Sequence, residues 1–320
     1  MKKICYCLQL FLVVFFSCFT SIACHSILPD QISSNSECRL IKHDLGETCV
    51  PLNPQRIIVT DQVALENVIA LGLKPIGMPD TTYVASKSSF LKNQIADIPY
   101  IGKEDQFNLE KILDLKPDLI ISLYGMSSTN YQLLSRIAPT VKFRYIHAEW
   151  QNSFRQISTV VNKTKQAEKL LDEYKQKLAK LGDLIKNKSN KVKVSVSRFH
   201  GGVKLPEFRS QFSFPGSILQ EIGLSLPDNQ SKLIKNPDDT LVILNLERID
   251  LLDADVLFVA VDPGAKDLFQ KYQHTRLWQT LNVVQNQRVY SVDSSYWIFG
   301  SILSANAIVD DLFKYLLQTT

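Results

Sequence analysis

Cysteine is scarce beyond the first 24 residues of this 320-residue chain. Cys5, Cys7, Cys18 and Cys24 lie there, and only Cys38 and Cys49 follow. Two cysteines with one nearby histidine, His43, make an incomplete set for a structural metal site. The five histidines are scattered, which argues against a histidine-rich centre. No G-x-S-x-G occurs: Gly216-Ser217 and Gly300-Ser301 both depart from it, so a nucleophile elbow is missing. No G-x-G-x-x-G and no Walker loop occur either. His200-Gly201-Gly202, without an elbow beside it, reads as a turn. His147-x-Glu149 is half of a zinc-deaminase motif whose Pro-Cys-x-x-Cys half does not occur. Nothing here points to an enzyme. A net charge of +4 with no Lys/Arg run gives no case for nucleic acid.

The first residues form an address. Lys2 and Lys3 precede an apolar run, Leu8 to Phe19, too short to span a bilayer as a helix. Ser21-Ile22-Ala23-Cys24 resembles a bacterial lipobox, in which the cysteine is lipidated and becomes the new N-terminus. Leucine is usual where Ser21 stands, so an ordinary signal peptide with a nearby cut is the alternative. Either reading places the mature protein outside the cytoplasm, and the lipid would hold it to a membrane. Residues 1–23 are then the signal peptide and 24–50 a Ser/Asn-rich tether ending in a hairpin. Cys38 and Cys49 flank His43-Asp44-Leu45-Gly46-Glu47, where Asp and Gly suit a turn. Hairpin strands can bring two Cα atoms to disulfide distance, and an oxidising compartment preserves the bond. Two free thiols are the alternative.

One stretch is used twice. Asn108–Ser122 reads NLEKILDLKPDLIIS, and Asn245–Val259 reads NLERIDLLDADVLFV. In each, an asparagine suited to capping precedes a glutamate in the first turn, a short apolar face, an aspartate and a buried strand. The recurrence suggests two similar α/β lobes. Residues 51–149 form the first and 188–320 the second. Between them, 150–187 reads as a connecting helix, Pro-free and rich in Lys, Glu, Gln and Leu, with a break near Asn162-Lys163-Thr164. Strand–helix alternation predicts mostly parallel sheets. At 45% hydrophobic and 21% charged, the composition is that of an ordinary globular protein.

Taken in order, HDLGETCVP running into NPQRIIV, then LGLKPIG, NLEKILDLKPDLII and IAPTV, resemble the substrate-binding proteins of bacterial ABC importers for iron–siderophore complexes. SFPGSILQEIGLSLPDNQ, LERIDLLDADVLFV, LWQTLNVVQNQRVYSVD and LSANAIVDDLFKYL continue the likeness to the C-terminus. The group also contains haem and cobalamin binders. The resemblance implies the helical-backbone periplasmic binding protein fold, two Rossmann-like lobes with mostly parallel sheets. A ferric siderophore would occupy the interlobe cleft, with haem or a corrinoid as the alternative cargo. It implies delivery to a membrane permease driven by a cytoplasmic ATPase. No cofactor is expected, and the chain is expected to act as a monomer.

Cleft loops in such lobes follow the carboxyl ends of strands. Arginine forks suit oxygen-rich anions, and aromatics supply rigid contact area. Tyr124, Arg144, Arg198, Tyr296 and Trp297 stand at predicted strand ends, and Arg209 joins them as a further candidate. The resemblance puts Tyr124, Arg198 and Trp297 where siderophore binders place contact residues. It also puts Glu110 and Glu247, matched in the repeated unit, where such proteins meet arginines of the permease. The plain alternative is that both glutamates stabilise helix first turns.

Overall fold

A computed structural model describes residues 37–80, 91–188 and 192–317. The leader, Cys24 and the first part of the tether lie outside the described residues.

Strands β1 (Cys38–His43) and β2 (Gly46–Pro51) form an antiparallel hairpin with His43 opposite Gly46. Cys38 and Cys49 are disulfide-bonded, their Cα atoms 5.5 Å apart. The hairpin is fastened to the first lobe: the Asp44 N–H donates to the Lys142 carbonyl at 2.9 Å, and the Thr48 hydroxyl donates to the Thr140 carbonyl at 2.9 Å.

In the first lobe, β3 (Ile57–Val59), β7 (Leu119–Ser122) and β8 (Thr140–Lys142) run parallel in the order β3-β7-β8. β4 (Met78–Asp80), β5 (Tyr100–Lys103) and β6 (Gln106–Phe107) continue the layer, with β4 and β5 parallel and β6 antiparallel. A parallel bridge between Ile58 and Gly77 joins the two groups. A Cβ at Gly77 would stand 2.7 Å from the Ile101 side chain, so any larger residue would force that side chain to shift. β8 itself is short, ending at Lys142. Phe143 and Tyr145 still donate backbone N–H bonds to Ser122 and Leu123, so the chain runs on beside β7 while turning out toward the next loop.

The second lobe holds one five-stranded sheet in the order β11-β10-β9-β12-β13. β9 (Val194–Phe199), β12 (Val256–Val261) and β13 (Val289–Val292) are parallel. β10 (Glu207–Arg209) and β11 (Leu241–Ile243) are antiparallel and complete one edge. Arg198 and Phe199 therefore end β9 from within it, since the strand runs to Phe199.

The link between the lobes is two helices, Trp150–Val160 and Thr164–Lys188. They break at Asn162, whose φ is 57°. Ala167, Leu171, Tyr174, Leu178 and Leu181 recur at helical spacing and are buried. This stripe packs against the closing helix Ile302–Leu317, where Lys177 bonds the Asn306 carbonyl and pairs with Asp310 at 2.7 Å. Val59 and Val68 of the first lobe share one apolar core with Trp150 and Leu171 of the link and Val196 and Phe258 of the second. The three parts are packed as one body.

Candidate binding cleft

Asp61 organises the first-lobe wall. Only 1% exposed, it caps the helix Gln62–Ala70 by accepting from the Ala64 N–H at 2.8 Å. Its other oxygen accepts from the Leu123 and Tyr124 N–H groups at 2.7 and 3.1 Å. Burial pushes this carboxyl's pKa up, and these N–H bonds work against the shift. The result is a fixed backbone behind Tyr124, whose side chain is 47% exposed at the end of β7.

Tyr145 and His147 follow β8. The Tyr145 hydroxyl donates to the Gly300 carbonyl of the other lobe at 2.9 Å. The His147 ring lies 5.0 Å from the Tyr145 ring and 5.2 Å from the Phe299 ring, centroid to centroid. Burial lowers the His147 pKa to about 4, and the charge of Arg209 adds to the shift. The imidazole is thus neutral at pH 7, and its Nδ1 has no hydrogen-bond partner among the described residues.

Two buried arginines stand on the second-lobe side. Arg198 is held by Asp262 through Nε at 3.1 Å and Nη2 at 2.7 Å. Arg209, 1% exposed at the end of β10, donates through Nη1 to Glu207 at 2.8 Å. Burial pulls its pKa down, and Glu207 opposes this. The antiparallel register sets Glu207 opposite Arg198, which brings the two guanidinium groups to the same acid. Phe299 covers both, with Cζ of Arg198 and Arg209 at 5.8 and 5.9 Å from its ring centroid. The same ring is 6.0 Å from Tyr124. Phe299 is therefore where the lobes meet.

Of the six residues the sequence proposes for the cleft, the structure brings together Tyr124, Arg198 and Arg209. Arg144 stands at the rim, exposed, in a 3.3 Å ion pair with Asp238 of the other lobe. Trp297 requires correction. It is fully buried, stacked on Phe258 at 4.6 Å, and its indole N–H donates to Asp311 at 2.8 Å. Tyr296 likewise turns inward, its hydroxyl donating to the same carboxylate at 2.9 Å. The reason is local: Ser294–Trp297 is a helical turn rather than an extended loop, which rolls both aromatics toward the closing helix. Sequence reasoning does not single out Phe299 or His147 as contacts. Phe299 carries a weak signal, an aromatic directly before a glycine. Glu110 and Glu247 are both exposed, each two residues beyond its capping asparagine.

Two lobes with mostly parallel sheets, joined by helices and meeting at a cluster of arginines and aromatics, define a two-lobed solute-binding architecture. Residues 57–296 match the family model described as periplasmic binding protein, and the chain belongs to that family. It is 32% identical over 311 residues to the "Probable siderophore-binding lipoprotein YfiY" of Bacillus subtilis, covering 93% of this chain and 94% of that one. It is 29% identical over 268 residues to the achromobactin-binding periplasmic protein of Dickeya dadantii, covering 82% of this chain and 86% of that one. Among solved structures, Staphylococcus aureus SirA complexed with staphyloferrin B superposes with a TM-score of 0.77 at 28% identity, covering 87% of this chain and 98% of that one.

Proposed function

We propose that this chain captures a ferric siderophore in the interlobe cleft and hands it to an ABC permease for iron uptake. One observation carries the reading: two guanidinium groups, already held by Asp262 and Glu207, face an aromatic ring shared by both lobes. A ferric siderophore presents iron inside a shell of oxygen atoms. Guanidinium forks recognise such oxygens directionally, and pre-fixed side chains lose little rotamer freedom on binding. Arg209 Nε is buried without a hydrogen-bond partner among the described residues. Tyr124 supplies exposed aromatic surface from the other side. The relatives named above are described by siderophore, achromobactin or staphyloferrin B, which favours this cargo over haem or a corrinoid.

The chain itself needs no catalytic step, because the permease and its ATPase supply the work. Cys24 is the proposed lipid anchor, holding the protein at the outer face of a membrane. Glu110 and Glu247 are the proposed docking residues. The experiment is uptake of radioactive iron supplied as a ferric siderophore, in cells with and without this chain. Uptake restored by the chain supports the function, and equal uptake in both contradicts it.

A further inference from the structure

Glu66 belongs to the first lobe, yet its carboxylate serves the second. On the helix Gln62–Ala70 and 1% exposed, it accepts from the Ser301 N–H at 2.9 Å and the Ser304 N–H at 2.7 Å. Its second oxygen accepts from the Ser304 hydroxyl at 2.7 Å. Neighbouring Asn67 accepts from the Ser301 hydroxyl at 2.9 Å. The Ser304 N–H lies in the first turn of Ile302–Leu317, where a helix cannot satisfy it internally, and Ser301 immediately precedes that turn. The closing helix is therefore capped from the opposite lobe. A negative charge there is also favoured by the helix dipole.

Phe299 sits two residues before this cap. On one side the chain is fixed by Trp297, stacked in the second-lobe core. On the other, Gly300 gives its carbonyl to Tyr145, and a Cβ there would collide with Ser304. The backbone carrying Phe299 is thus pinned at both ends, and the ring it presents touches Arg198, Arg209, Tyr124 and His147.

We propose that Glu66 is a positioning residue for the cleft: by capping the closing helix across the lobes, it holds Phe299 over the two arginines that face the cargo. The proposal rests on the function given above. It makes Phe299 a built wall of the site. It also makes cargo affinity depend on a carboxylate that never touches the cargo.

The test is a cycle of four proteins: wild type, Glu66→Gln, Phe299→Ala and the double variant. Calorimetry with ferric staphyloferrin B reads affinity, and hydrogen exchange of the ligand-free protein reads residues 298–304. Glu66→Gln keeps the shape but replaces an accepting oxygen with a donor. It is expected to speed exchange at 298–304 at least tenfold. It should weaken binding at least fivefold in the wild-type background and less than twofold in the Phe299→Ala background. Equal losses in both backgrounds overturn the proposal, because Glu66 then acts without Phe299. If Glu66→Gln does not fold, Ser304→Ala, which removes only one donor to Glu66, replaces it under the same criteria. If wild type binds no ferric siderophore, the proposed function fails. Exchange then decides alone, and unchanged protection at 298–304 overturns the positioning role.

Discussion

Arg198 and Asp262 form a buried bidentate pair, so removing one strands the other. Asp262 is 2% exposed. Breaking such a pair costs about 3–5 kcal/mol, because the remaining charge is left uncompensated. Arg198→Ala is therefore expected to lower the melting temperature by several degrees. It should also weaken cargo binding at least tenfold, about 1.4 kcal/mol. Thermal unfolding and calorimetry measure the two separately, and unchanged affinity would put Arg198 outside the site. His147 gives a pH signature. Its pKa is about 4 in the folded protein against 6.5 for an ordinary histidine, so above 6.5 both states are neutral and it contributes no pH dependence. As pH falls from 6.5 to 4, the unfolded chain takes up a proton that the folded chain refuses, and stability is lost. Glu104, pushed up to about 7 by desolvation and the Asp61 charge, works in the opposite direction as pH falls from 7. His147→Phe removes only the first effect. Its melting temperature should fall less than that of wild type between pH 6.5 and 4, and parallel curves would contradict the assignment. At this scale the sequence pointed to the strand-borne arginines, because strand ends are where such lobes place loops. It left Phe299 and Glu66 unread, because their roles come from partners 90 or more residues away.

The repeated unit shows how an element does the same work twice. Asn108 and Asn245 each accept from a backbone N–H three residues on, at 3.0 Å in both lobes. Ile112 and Ile249 are both buried beneath. Asp118 accepts from the Gln55 and Arg56 N–H groups, and Asp255 accepts from the Lys193 N–H, so each aspartate ties its strand to the start of the neighbouring one. Caps and strand starts depend on local residue types, and this is why the units could be read from sequence. The second helix is 3-10 in form, with Arg248 outside helical angles at φ −108°. Nothing in LERIDLL announces that. The hairpin is the other self-contained element. Its bond closes a loop of 11 residues' separation. In the chain-entropy model this is worth about 2–3 kcal/mol. Cys38→Ser with Cys49→Ser should lower stability by that amount in denaturant unfolding while leaving cargo affinity in place. Unchanged stability would show that the bond does not form in the secreted protein.

At the scale of the whole molecule, the shared core and the paired helices tie the lobes into one body, and the Glu66 cap adds a polar fastening between them. A body of this kind suits small adjustments at the cleft over wide closure. The two lobes carry their exposed glutamates on matched elements, one each. Two like charges in fixed relation would let a permease register both lobes and would steer docking. Glu110→Ala with Glu247→Ala is expected to leave cargo affinity unchanged and to abolish uptake in cells. Wild-type uptake by the double variant would reduce both residues to helix-stabilising acids. The lobe count and the helical link were legible from periodicity and the repeated unit. The cross-lobe contacts were not, because no local pattern encodes them.

Binding of a ferric siderophore in the cleft can be read directly. Trp150, Trp278 and Trp297 are all buried in the core, so intrinsic fluorescence is a remote reporter and heat is the better one. The decisive measurement is a calorimetric titration of the mature protein with ferric staphyloferrin B, ferric citrate, a ferric hydroxamate, a ferric catecholate, haem and cobalamin. Saturable one-to-one binding of at least one ferric siderophore is expected, weakened at least tenfold by Arg198→Ala, about 1.4 kcal/mol. Binding of haem or cobalamin alone, with every ferric siderophore silent, would contradict it.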